Sequence, residues 1–244
     1  MVARLHPCNH GISMLIGILQ TGLAPDALKD DLGDYPDMFA RLLDGHGFTF
    51  RTFRVVDGEF PASVTVCDGW LITGSRHGTY EDHPWIPPLE QFIHASFAAH
   101  VPMVGICFGH QIIAQAMGGR VERYGGGWAV GATDYAFGDR TLTLNAWHRD
   151  QVTAVPPGAR VVASNDFCTN AALLYDHAFT VQAHPEFLPA FIEGLMRTRG
   201  KGLVPDEVMA TAATRLTDPL QQQTIADQIA DFFKHNRATG PNPV

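Results

Sequence analysis

The seven residues Gly105-Ile106-Cys107-Phe108-Gly109-His110-Gln111 constrain this chain more than any other stretch. They follow a short apolar run over 101–106 that reads as a buried strand. They lead into an apolar pattern at Ile112, Ile113 and Ala116 that predicts a helix over 108–117, stopped by Gly118-Gly119. A strand that turns straight into a helix must fold back tightly. Small residues two before and two after the corner let the chain pass close to itself. Cys107 occupies that corner. A helix N-terminus there, with its dipole and free N–H groups, favours negative charge on sulfur. The N–H of Phe108 is placed to donate to an oxyanion. A buried structural cysteine in a glycine-flanked turn would give the same short pattern, so the corner alone does not make a nucleophile.

The surrounding elements say what kind of sheet carries it. Residues 15–20 read as a buried strand closed by Thr21-Gly22. Residues 35–45 read as a helix with Met38, Phe39, Leu42 and Leu43 on one face and Gly45 near its end. A strand alternating Phe48, Phe50 and Phe53 over 48–56 follows, then a short apolar strand over 69–73. A helix over 84–100 has Pro84 or Pro87 in its first turn. This order predicts an α/β fold with a mostly parallel sheet and helices on both faces. From 121 to 181 the segments are short and β-rich (141–144, 160–163, 172–175, 180–183). They predict an antiparallel extension that returns to the main sheet. A helix over 189–198 follows, and the tail from 206 to 235 reads as helical, docked by Ile225, Ile229 and Phe232. Residues 14–198 are expected to form one domain, with 199–237 a helical extension packed on it. Residues 238–244 read as frayed. The first thirteen residues carry no pattern, and Met14 reads as a candidate start.

Composition narrows the function classes. The formal net charge is -8, charged residues make up 17%, and there is no run of Lys or Arg, which argues against a nucleic-acid surface. The apolar run after Met14 is too short for a signal core or a membrane span. The four cysteines, Cys8, Cys67, Cys107 and Cys168, include no C-x-x-C pair. That gives no support to a zinc knuckle or a thioredoxin-like motif, and a reducing cytoplasm is the simpler reading. No H-E-x-x-H or paired ligand spacing suggests a metal, and Asp82-His83 and Asp176-His177 read as surface or loop pairs. Gly125-Gly126-Gly127-Trp128 lacks the Lys-Ser/Thr of a phosphate loop and reads as a loop lining or covering a cleft. No cofactor is implied.

A thiol nucleophile needs a base. His184-Pro185-Glu186 follows the strand at 180–183, at a strand's C-terminal end, where open α/β sheets place their sites. Glu186 can fix the tautomer of His184 and stabilise its imidazolium.

The Gly-Ile-Cys-Phe-Gly-His-Gln corner with the later His-Pro-Glu resembles the class I glutamine amidotransferases over about residues 15–198. The resemblance implies a Rossmann-like (flavodoxin-like) glutaminase domain with a triad of Cys107, His184 and Glu186. Leu71-Ile72-Thr73-Gly74-Ser75 lies where that family has an oxyanion loop, so the N–H of Gly74 would join that of Phe108. The family usually has a Gly-Gly-Pro-type loop here, and Thr73–Gly78 departs from it, as do stand-alone γ-glutamyl-peptidase-like relatives. Gln111 matches a pocket glutamine, and Ser75 is a further substrate-binding candidate. Residues 145–152 resemble the family's His-x-Asp-x-Val loop, with a structural role for His148. Three functions stay open: a glutaminase releasing ammonia, for a separate synthetase since the chain has no nucleotide motif of its own; a γ-glutamyl peptidase or hydrolase; and a non-enzymatic binding protein on the same scaffold.

Overall fold

The computed structural model describes residues 13–237. The readings made for the first residues, Cys8 among them, and for 238–244 lie outside the described residues.

Strands β1 (Met14–Leu19), β2 (Phe48–Phe53), β3 (Gly69–Ile72) and β4 (Met103–Ile106) alternate with helices α1 (Asp26–Leu32), α2 (Tyr35–Leu42), α3 (Ile86–Ala98) and α4 (Phe108–Ala116). Then come β5 (Arg120–Arg123), β6 (Ala129–Phe137), β7 (Arg140–His148), β8 (Asp150–Ala154), β9 (Arg160–Ala163), β10 (Ala172–Leu174) and β11 (Ala178–Val181). The chain closes with α5 (Pro189–Leu195), α6 (Asp206–Thr214) and α7 (Gln222–His235). The main sheet has seven strands in the order β2-β1-β3-β4-β11-β10-β9. Its first five are mutually parallel, and β10 runs antiparallel to both β11 and β9. This is the flavodoxin-like arrangement, with the expected antiparallel extension at one edge.

Both faces of the sheet are buried, so β1, β3 and β4 are nearly uninterrupted apolar runs. On one face Ile16, Ile18, Leu71, Val104 and Ile106 pack with Phe39 and Leu43 at α2 and with Ile225, Ile229 and Phe233 of α7. On the other, Trp70, Ile72 and Met103 pack with Leu89, Phe92 and Ile93 of α3 and with Phe108, Ile112 and Ile113 of α4. Helix α7 thus shares a core with strands β1, β3 and β4.

The tail read as helical over 206–235 forms α6 and α7, joined by a non-helical segment that includes Pro219; proline lacks the N–H for helix propagation and disfavours the α conformation before it. Two readings need correction. The docking face of α7 is Ile225, Ile229 and Phe233, all fully buried; Phe232 is only partly covered. The region after α4 also holds more structure than expected: β5 pairs with β8, and β6 with β7, as two antiparallel ribbons outside the main sheet.

The corner between β4 and α4 is as tight as the spacing of glycines predicts. A Cβ on Gly105 would sit 2.4 Å from the Gly109 carbonyl oxygen, and a Cβ on Gly109 would sit 2.3 Å from the Ile72 carbonyl oxygen. Neither neighbour is a side chain that could swing aside. Gly109→Ala is therefore expected to lower stability by about 1–3 kcal/mol through forced backbone shifts. Urea unfolding measures it, and an unchanged midpoint would contradict this packing.

Candidate active site

Cys107 is held in an unusual backbone conformation. Its φ is 53° and ψ -101°; among the described residues only His100 is another non-glycine with positive φ. Such a conformation costs roughly 1–3 kcal/mol and persists where the surroundings over-determine it. Its N–H donates to the Val181 carbonyl at 2.9 Å, at the end of β11, and its carbonyl accepts from the Gln111 N–H at 3.0 Å, in the first turn of α4. The residue is thus tied to the sheet on one side and to the helix on the other.

His184 arrives from the same end of the sheet, just past β11. Its N–H donates to the Asn145 carbonyl of β7 at 2.8 Å. The Asn145 side-chain amide donates to the Phe187 carbonyl at 2.8 Å. Glu186 Oε1 lies 2.6 Å from His184 Nδ1, and both side chains are almost wholly buried. The carboxylate accepts the hydrogen bond of Nδ1–H and leaves Nε2 for the other side of the ring. Burial alone would push the imidazole down. The Glu186 carboxylate and the Cys107 sulfur, acting by charge and hydrogen bond, outweigh it and raise His184 to about 10. The Phe187 ring lies flat on the imidazole, centroids 3.9 Å apart and planes 4° from parallel, which favours the charged ring.

Gly74 stands against this pair. A Cβ there would lie 2.7 Å from His184 Cε1 and 3.7 Å from Cys107 Cβ, so only glycine fits. The Gly74 carbonyl accepts from the hydroxyls of Thr73 at 3.0 Å and Thr21 at 3.3 Å. The Phe108 side chain turns away into the core against Trp85, so only its backbone can face the site. Ser75 and Gln111 line one cavity with Cys107 and His184. The Gln111 amide is already engaged, donating to the Asp150 carbonyl at 2.8 Å and to Gln182 Oε1 at 3.0 Å. Ser75 Oγ accepts the His77 N–H at 3.2 Å.

One contributor has no signal in the sequence patterns read above, and a second was read only as part of a structural loop. Gln222, at the start of α7, donates its side-chain amide to the carbonyls of Pro185 and Phe187. It clamps the turn that carries His184 and Glu186 from a helix far along the chain. His148 lines the cavity as well. Its Nδ1 lies 3.3 Å from the Asp150 carbonyl, and its buried Nε2 has no partner among the described residues.

This cavity is small, about 180 Å³, and its wall also includes Tyr35, Arg76, Arg123, Trp128, Trp147 and Arg149. A wider groove of about 760 Å³ lies between the β9 edge and α7. It holds neither Cys107 nor His184.

Residues 54–192, more than half of the chain, match the family model described as glutamine amidotransferase class-I. The chain belongs to the class I glutamine amidotransferase family. Within it, the chain is 33% identical over 177 residues to γ-glutamyl peptidase 4 of Arabidopsis thaliana, covering 65% of this chain and 70% of that protein. It is 30% identical over 206 residues to γ-glutamyl peptidase 2 of the same plant, covering 77% and 83%. A glutamine-hydrolysing GMP synthase of Aromatoleum aromaticum is 35% identical over 136 residues, but these span only 25% of that protein. The fold matches the crystal structure of a glutamine amidotransferase from Methylobacillus flagellatus with a TM-score of 0.72 at 22% identity, covering 92% of this chain and 94% of that one.

Two buried histidines near this site set an acid limit. His110, whose Nδ1 lies 2.8 Å from Thr180 Oγ1, is lowered to about 3 by burial and then by the charge of His148. His148 is lowered to about 3 by burial and then by the charge of His184. Both bind a proton in the unfolded chain below about pH 6.5 and stay neutral in the fold until about pH 3. Stability should therefore fall as pH drops through that window, by about 1.4 kcal/mol per pH unit for each group. His184 stays charged in the fold and is charged in the unfolded chain well below pH 6.5, so it adds no slope in the more acid part of that window. Urea unfolding between pH 6.5 and 5 measures the fall, and it should be shallower in His110→Gln. A flat profile in the unaltered protein would contradict the burial of neutral imidazoles.

Proposed function

We propose that the protein hydrolyses γ-glutamyl amide bonds whose leaving group is an amino acid or peptide, through a γ-glutamyl thioester on Cys107. Cys107 Sγ attacks the γ-carbonyl and a C–S bond forms. The oxyanion is held by the N–H groups of Phe108 and Gly74, and losing one such donor typically costs on the order of 3 kcal/mol. His184 gives its proton to the departing nitrogen as the C–N bond breaks. It then takes a proton from water, which attacks the thioester and releases glutamate and the thiol. Glu186 orients His184 and compensates its charge throughout.

The observation that carries the choice of leaving group is the excess of arginines in the cavity wall, Arg76, Arg123, Arg149 and Arg199 against the two acids Glu81 and Asp150. Arg76 and Arg123 line it, and neither forms an ion pair with another described residue. A leaving amino acid or peptide brings a carboxylate that such groups can meet; ammonia brings none. The likeness to γ-glutamyl peptidases over most of their length supports the same reading. The described cysteines are free, which fits work in the cytoplasm. The second reading is a glutaminase that hands ammonia to a separate synthetase. The match to one quarter of a GMP synthase favours it.

Steady-state assays compare the two. γ-Glutamyl dipeptides are expected to exceed glutamine in kcat/KM by at least about tenfold, equivalent to roughly 1.4 kcal/mol of transition-state binding. Arg123→Met should raise KM for the dipeptide and leave glutamine turnover nearly unchanged. Cys107→Ala should abolish both. Glutamine turned over as well as any dipeptide would contradict the peptide reading.

A further inference from the structure

His77, Glu81 and His83 stand together on the loop between β3 and α3, outside the machinery assigned to Cys107. Glu81 Oε2 lies 3.2 Å from His77 Nδ1 and 2.8 Å from His83 Nε2. The three donor atoms all lie within 4.8 Å of one another. In a tetrahedral zinc site with bonds of about 2.0–2.1 Å, neighbouring donors sit roughly 3.3 Å apart. Small side-chain adjustments therefore open this cluster to an ion. Two imidazoles and one carboxylate suit zinc and its first-row neighbours, whereas calcium and magnesium prefer oxygen ligands.

The donors are held in place by the rest of the loop. The two imidazoles meet edge to face, centroids 4.1 Å apart. Trp85 stacks on His83 at 5.7 Å and 11° and meets His77 at 6.0 Å. The Glu81 N–H donates to the Gly78 carbonyl at 3.1 Å and closes the turn. The ion-pair partners of the Glu81 carboxylate among the described residues are the two histidines, with no lysine or arginine to neutralise it. The three side chains are 18%, 43% and 30% exposed, which lets water complete the coordination. His77 and Glu81 also line the cavity that contains Cys107.

We propose that His77, Glu81 and His83 bind one divalent transition-metal ion of the zinc type at the rim of the Cys107 cavity. The site needs no catalytic residue, so it stands or falls independently of the reaction assigned to Cys107.

The test uses the full chain as Cys107→Ser, which removes the cavity thiol as a competing ligand. Cobalt(II) is titrated and followed by visible absorption, then displaced with zinc. The expected result is one equivalent bound, with the absorption of a low-coordinate nitrogen–oxygen site. Binding should weaken at least tenfold in Glu81→Gln, His77→Ala and His83→Ala. Glu81→Gln preserves shape, so it keeps the test decisive if a histidine variant fails to fold; near-ultraviolet circular dichroism reports folding. His100→Ala serves as a control, because His100 and His177 form another close pair with ring nitrogens 2.6 Å apart; it should leave binding unchanged. No stoichiometric binding by the folded protein would overturn the proposal and leave a hydrogen-bonded cluster only. So would affinity that survives Glu81→Gln, or that is lost in His100→Ala.

Discussion

The near contact of backbone with backbone beneath Cys107 is the constraint on which the rest of the site depends. Gly105 lies against Gly109, and Gly109 against Ile72 of the neighbouring strand. Nothing larger than hydrogen fits at either point. That closeness lets α4 begin one residue after β4 ends, and it forces Cys107 into positive φ at the helix N-terminus. The strain is local and the stabilisation is distributed. It comes from two apolar layers, α3 and α4 on one side and α2 and α7 on the other, packed on strands buried on both faces.

His184 answers a different physical problem. A charged imidazole in a buried site is costly unless it is paired and hydrogen-bonded. Glu186 pairs it, Phe187 covers its face, and the turn that holds all three is fastened by Asn145 from β7 and Gln222 from α7. The last helix therefore has two functions in one element. Its apolar face fills the core against β1, and its first residue braces the proposed catalytic turn. Gly74 completes the group by leaving room for the His184 ring.

Much of this was legible in the sequence because it follows from patterns with a short range. The strand–corner–helix around Cys107, the parallel strands and the His184-Pro185-Glu186 turn each occupy a few consecutive residues. What escaped depends on contacts between distant segments. Helix α1 buries only Leu28 and so carries no apolar stripe. Strands β5 and β8 pair across an intervening ribbon. Gln222 reads as one more polar residue at a helix start until the turn it clamps is brought beside it. Asp82-His83 reads as a surface pair, yet His83 joins Glu81 and His77 because the loop curls back on itself, a spacing that matches none of the usual metal patterns.

The central claim is that a γ-glutamyl group passes through Cys107. Rapid acid quench during turnover of a γ-glutamyl dipeptide, followed by intact mass and peptide mapping, tests it most directly. A mass gain of one γ-glutamyl group is expected, located on Cys107, labile to hydroxylamine and absent in Cys107→Ala. Turnover with no such adduct, and with activity retained in Cys107→Ala, would contradict it.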